Sequence, residues 1–249
     1  MQDQGDKRAI EVEGLRKSFG TQTVLDGVDL EIERGETVTV LGPSGTGKSV
    51  LLKLIIGLQK PDSGSIKING KEITELSLQE LNQVRKEIGF LFQTAALYDS
   101  LNIEENVAFP LRQHTNLSEG ERAARVRELL ASVGLTNGFE KLPAQISGGM
   151  KKRVGLARAL ALAPKILLYD EPTAGLDPVT ASKINELIVR LRQERKMSSI
   201  VVTHDVQSAR IVSDRLAFLN EGSIVAQGSF EELRKSDDEF VSQFFQEVH

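Results

Sequence analysis

At 249 residues, 40% hydrophobic and 27% charged, the chain has enough apolar material to bury a core without covalent or metal staples. It contains no cysteine, which excludes a disulfide framework, a thiolate zinc site and a thiol nucleophile, and fits a reducing compartment. A net charge of −4 supplies no electrostatic ground for sequence-independent nucleic-acid binding, so no nucleic-acid partner is expected.

Met1–Ile10 is polar and lacks an apolar centre, so no secretory leader is expected. The most apolar stretch, Val50–Leu58, contains Lys53 and is far too short to cross a bilayer. Work at a membrane would therefore go through a partner.

In chain order, strands are expected over Ile10–Glu13, Val28–Ile32 and Thr37–Leu41, the last ending at a glycine-rich turn. A helix follows from about Gly47 to Ile56, stopped by Gly57. Ser65–Asn69 alternates like a hairpin strand before Gly70, and Ser77 with Glu80 forms a capping box for a helix to about Lys86. Ile88–Phe92 is a short apolar strand. From Thr94 to Ala163 the pattern turns helical: Ser118 and Glu121 make a capping box, and Val126, Leu129, Leu130 and Val133 recur at helical spacing. Another helix is expected from about Ser147 to Leu162. Strand and helix then alternate through Ile166–Tyr169, Pro178–Arg195, Ser199–Thr203 and Asp205–Val212, with a hairpin around Asn220-Glu221-Gly222. This is an α/β core with a helical insertion.

Gly42-Pro43-Ser44-Gly45-Thr46-Gly47-Lys48-Ser49 fits G-x-x-x-x-G-K-[ST] between an apolar strand and a helix, the context a phosphate-binding loop requires. Its glycines let backbone N–H groups turn toward phosphate oxygens, at a helix start that carries partial positive charge. Lys48 is expected to reach the β- and γ-phosphates and the Ser49 hydroxyl to ligate Mg²⁺. This loop alone does not separate an ATPase from a kinase or a GTPase. Ile166-Leu-Leu-Tyr-Asp170-Glu171 ends an apolar strand in two carboxylates. Asp170 suits Mg²⁺, directly or through water, and Glu171 suits orienting and deprotonating the attacking water.

Between these sites lies Ile146-Ser147-Gly148-Gly149-Met150-Lys151-Lys152-Arg153, which resembles the signature motif of ABC ATPases. With Gln93 after a strand, Ala174-Gly-Leu-Asp177 after the acids and His204 after another strand, the motifs stand in that family's order from about Ile10 to Leu233. The resemblance implies an α/β P-loop NTPase core, the ABC nucleotide-binding domain, with an antiparallel β part. Residues 1–249 would form one domain, with a helical subdomain inserted over 94–163 and a tail helix over 234–249. It also implies ATP and Mg²⁺ as ligands, held between two copies of the chain, each phosphate loop facing the partner's Ser147-Gly148-Gly149. Gln93 would sense the metal and γ-phosphate, Asp177 would couple the two sites, and His204 would hold γ-phosphate and water. Phe19 stands at the aromatic position that stacks on adenine; a core phenylalanine is the other reading.

Methionine at position 150, where most signatures have glutamine, resembles the ATPases of MCE-type lipid transporters, as does Tyr169–Thr180. Val50 is a further departure, since many such loops carry a second hydroxyl there. That subgroup implies an integral-membrane permease, an MCE-domain substrate-binding protein and a STAS-domain protein as partners, with this chain peripheral on the cytoplasmic face of the inner membrane. Thr94–Asn106, with Leu97, Tyr98 and Leu101, would meet the permease or fill the helical core. An amino-acid or ion importer and a non-transport ABC scaffold are the rival readings. The tail repeats Phe240, Phe244, Phe245 and Val248 at helical spacing, to pack on its own core or on a partner subunit.

Overall fold

The computed structural model describes residues 7–246 and is built on two sheets. β1 (Arg8–Phe19) and β2 (Gln22–Glu33) form a long antiparallel hairpin. β4 (Ser63–Ile68) pairs with β1 and β5 (Lys71–Glu72) with β4, completing a four-stranded sheet in the order β2-β1-β4-β5. These strands are longer than the pattern predicts at both ends of the hairpin. Register shifts between Val12 and Leu15, around Gly14 at φ +56°, break the alternation that marks a regular strand.

The second sheet uses β3 (Thr37–Leu41), β6 (Ile88–Leu91), β7 (Ile166–Asp170), β8 (Ser198–Thr203), β9 (Arg215–Asn220) and β10 (Ser223–Gly228). Their order is β10-β9-β3-β8-β7-β6, parallel throughout except for the β9–β10 hairpin at one edge. Every residue of β3, β6, β7 and β8 is buried, which is why β6 and most of β7 read as apolar runs; β3 and β8 also bury Thr37, Thr39, Ser198, Ser199 and Thr203. Helix α1 (Lys48–Ile55) contributes Leu51, Leu52, Leu54 and Ile55 to the cluster that joins both sheets.

α2 (Leu78–Arg85) leads into β6, and three α-helices lie between β6 and β7: α3 (Ile103–His114), α4 (Glu119–Ser132) and α5 (Gly148–Ala159). Ser77, Asn102 and Ser118 cap α2, α3 and α4 in reciprocal boxes with Glu80, Glu105 and Glu121. The helical pattern of the sequence singles out no element at 103–114, because Pro110 falls inside it and reads as a terminator. The three helices share one apolar cluster with β7 and with α6 (Pro178–Arg195), through Val107, Leu130, Val154, Leu167 and Ile188.

α7 (Val206–Val212) follows β8, and α8 (Phe230–Leu233) and α9 (Glu239–Gln246) follow β10. α9 lays Phe240, Phe244 and Phe245 around the fully buried Phe218 of β9, with the Phe218 and Phe244 ring centres 5.5 Å apart. The tail thus packs on its own chain; Val248 lies outside the described residues. Val241 is its one fully buried residue among those described, so Val241→Ala is expected to remove about 2 kcal/mol of stability from two lost methyl groups and the gap they leave. A denaturant midpoint unchanged by that substitution would show that the tail is not part of the cooperative core.

Candidate functional site

The parallel strands end together. Leu41 of β3 stands opposite Thr203 of β8, Asp170 of β7 opposite Val202, and Leu91 of β6 opposite Tyr169. Open α/β sheets bind ligands at this carboxyl edge, because the loops and helix starts that follow the strands converge there.

Gly42–Gly47 wraps from β3 into α1. A Cβ on Gly42 would stand 2.3 Å from the Leu219 carbonyl oxygen, and one on Gly47 would meet Val24 Cγ1 at 2.8 Å. The loop is therefore pressed against β9 of its own sheet and β2 of the other, and Gly47 starts the helix at φ +99°, where a side chain is strained. Pro43, Ser44 and Gly45 are exposed, and the Thr46 hydroxyl donates to Pro43 O at 2.9 Å. Lys48 is 5% exposed, and its Nζ donates to Gly42 O at 2.7 Å and Pro43 O at 2.8 Å, with Glu171 Oε1 at 4.0 Å. Burial lowers its pKa; Glu171 and Asp170 oppose that shift. Val50 is half-buried and packs on the joint core, which accounts for an apolar residue there.

Ser49 Oγ donates to Asp170 Oδ1 at 2.7 Å. Burial raises the Asp170 pKa, and the Ser49 hydrogen bond lowers it. A hydroxyl and a carboxylate are hard oxygen donors, and among the described residues no group of three or more His, Cys, Asp or Glu is arranged to cage an ion. Such a pair fits Mg²⁺, which binds through one or two protein oxygens and completes its shell from phosphates and water.

Glu171 takes the left-handed conformation at φ +46° and is 8% exposed. Its carboxylate is gripped at both oxygens: Thr203 Oγ1 donates to Oε2 at 3.1 Å, and His204 Nδ1 lies 3.1 Å from Oε1. The lysine of the loop, the two acids and His204 are thereby brought into one site. Phe19 ends β1, is 45% exposed, and has Lys17 Nζ 5.5 Å from its ring centre. That exposure argues against the core alternative.

Two expected members stay outside. Gln93 is exposed in the turn after β6 and makes no hydrogen bond to Ser49 or Asp170. Ser147 caps α5, accepting from Met150 N at 3.3 Å, and no hydrogen bond joins it to the phosphate loop among the described residues. Ser147 and Gly148 are exposed, while Gly149 has no room for a side chain, since a Cβ would meet Thr180 Cγ2 at 2.4 Å. Met150 is half-buried against the helical cluster. In the turn after Gln93, Leu97 and Leu101 are half-buried and Tyr98 is exposed; Leu97 packs on the helical cluster, which fits the core reading, while Tyr98 is left at the surface. Tyr98 borders a cavity of about 420 Å³ that Phe90, Phe92, Phe109 and Pro110 also line.

The sequence offers Lys152 only as one residue of the signature motif Ile146–Arg153. It is 5% exposed, burial lowers its pKa to about 8, and its Nζ donates to the Glu171 carbonyl at 2.7 Å. Its position five residues past a helix cap, inside an otherwise buried helix face, is the only sequence signal for that placement.

Residues 25–174 match the family model described as ABC transporter. The chain is 48% identical over 236 residues to the "Probable ribonucleotide transport ATP-binding protein mkl" of Mycobacterium leprae, covering 95% of this chain and 68% of that one. It is 39% identical over 239 residues to the "Intermembrane phospholipid transport system ATP-binding protein MlaF" of Haemophilus influenzae, covering 96% of this chain and 90% of that one. Among solved structures, a dimeric ATP-binding cassette in a post-hydrolysis state bound to ADP and Pi superposes with a TM-score of 0.82 at 36% identity, over 88% of this chain and 98% of that one. The matched residues include the phosphate loop and the Asp170-Glu171 strand end, and they place this chain in the ABC transporter family, as an ATPase subunit that works on ATP with Mg²⁺.

Proposed function

We propose that two copies of this chain close on two ATP molecules and that the cycle drives phospholipid movement through an MCE-type permease complex at the cytoplasmic face of the inner membrane. The observation that carries the sandwich is an asymmetry. One chain builds the loop, the acids and the histidine into a single site, yet leaves its signature helix start exposed and away from them. The first N–H groups of a helix have no partner within it, so Gly148 and Gly149 can donate to an anion supplied from outside. The dimeric form of the similar cassette supports that reading.

Within each site, Lys48 would hold the β- and γ-phosphates and Phe19 would stack on the base. Ser49 and Asp170 would hold Mg²⁺, which neutralises developing charge, and Gln93 would join them on closure. Glu171, kept in aim by Thr203 and His204, would take the proton from the attacking water. Val50 and Met150 stand beside these contacts without a polar role.

Phospholipid as cargo is supported by Met150 and by the likeness to MlaF, which this chain matches over nearly the whole of that protein's length. An MCE-domain substrate-binding protein and a STAS-domain protein complete the proposed complex. No described helix is long and apolar enough to cross a membrane, and in the proposed complex the permease makes the crossing. Tyr98 and the aromatic-lined cavity beside it offer the permease its apolar footing.

The test is reconstitution: the complex purified through this chain should carry phospholipid and move labelled phospholipid between membranes in MgATP. Movement of a ribonucleotide or an amino acid instead would overturn the lipid reading, and recovery with soluble assemblies alone would overturn transport. For the sandwich, Ser147→Ala should leave ATP binding by the single subunit intact. It should weaken ATP-dependent dimerisation about tenfold to a hundredfold, the worth of one hydrogen bond to an anion at roughly 1.5–3 kcal/mol. Sedimentation with and without nucleotide reads both states.

A further inference from the structure

α5 touches the catalytic edge at a second place, away from its exposed start. Lys152 lies five residues after the cap Ser147, and its ammonium donates to the Glu171 backbone carbonyl at 2.7 Å. On the other side of the same residue, the Glu171 N–H donates to Val202 O at 2.9 Å. Both peptide groups around the base are thus pinned, one to α5 and one to β8, about a backbone at φ +46°. A small rotation of either peptide swings the carboxylate away from Thr203 and His204. Further along, Arg158 donates to Ala95 O and Ala96 O, each at 2.7 Å, so α5 is also fastened to the turn that follows Gln93.

Burying an ammonium for one carbonyl hydrogen bond is a poor way to stabilise a fold, and an apolar side chain would fill the same space at lower cost. No carboxylate lies within ion-pair distance of Lys152 among the described residues; Asp170 and Glu171 act on it only at longer range. What the arrangement yields is geometry. We propose that Lys152 is a positioning residue, which aims Glu171 of its own subunit and ties that aim to the helix whose start meets the nucleotide of the opposite site. This rests on Glu171 as the base and on the facing of Ser147 across the dimer.

The experiment uses the full chain in MgATP, with Lys152→Met to remove the donor and Lys152→Arg to keep one. Lys152→Met should lower kcat roughly tenfold to a hundredfold while KM for ATP moves less than about twofold, the mark of a displaced catalytic group rather than lost binding. Lys152→Arg should recover most of that loss. Unchanged kcat in the methionine variant would overturn the proposal. So would kcat, KM and thermal midpoint falling together without rescue by arginine.

Mixed dimers locate the action. Lys152→Met and Glu171→Gln on one subunit leave a wild-type base in the other, and this dimer should outpace the dimer with the two changes split by at least about tenfold. The opposite ranking would show that Lys152 acts across the interface and would overturn the proposal. The Glu171→Gln homodimer, run alongside, reports on the base by itself, so failure of that reading is seen separately.

Discussion

Glu171→Gln is expected to slow ATP turnover by roughly two to four orders of magnitude while ATP stays bound, which is the range a lost general base accounts for. The amide matches the carboxylate in shape, and its oxygen still accepts from Thr203 or His204, so neither fold nor nucleotide site is disturbed. It cannot take a proton from water. The dimer closed around MgATP should then persist, and the two effects are read by steady-state phosphate release and by sedimentation. Release near the wild-type rate would place the base elsewhere.

Lys48→Ala acts on binding instead. The Lys48 ammonium is a buried cation at the mouth of the loop, 4.0 Å from Glu171 and under the influence of Asp170. Without it, the loop loses the side-chain ammonium that faces the phosphates, and a polyphosphate meets two carboxylates with weaker compensation. Charged hydrogen bonds to both the β- and γ-phosphates, at ~1.5–3 kcal/mol each, place the expected loss of ATP affinity at about a hundredfold or more. Isothermal titration of the subunit checks it. Undiminished affinity would mean that the lysine serves the loop's own carbonyls and not the nucleotide.

Much of this architecture is legible from local pattern. β6 and β7 announce themselves as apolar runs, and the capping boxes at Ser77 and Ser118 mark helix starts that the structure reproduces. The phosphate loop is legible because its glycines answer to contacts with Leu219 and Val24 that no other residue could make. The first hairpin was only half visible, since its bulges at Gly14 disturb the period on which strand reading depends. α3 hid behind Pro110. Lys152 was invisible for a different reason: the carbonyl it meets is 19 residues away, and a backbone oxygen leaves no mark in a sequence. Local signals report what a residue is next to in the chain, so a contact that exists only after folding, and only with backbone, escapes them.

The left-handed backbone at Glu171 has a consequence for any attempt to engineer this protein. A non-glycine residue held there stores backbone strain, of order 1 kcal/mol, that glycine or asparagine would relieve. A selection for thermal robustness alone would drift toward those replacements and return hardy, inert molecules. Durability and turnover pull in opposite directions at this one residue, so only a screen that scores work done will keep the acid in place.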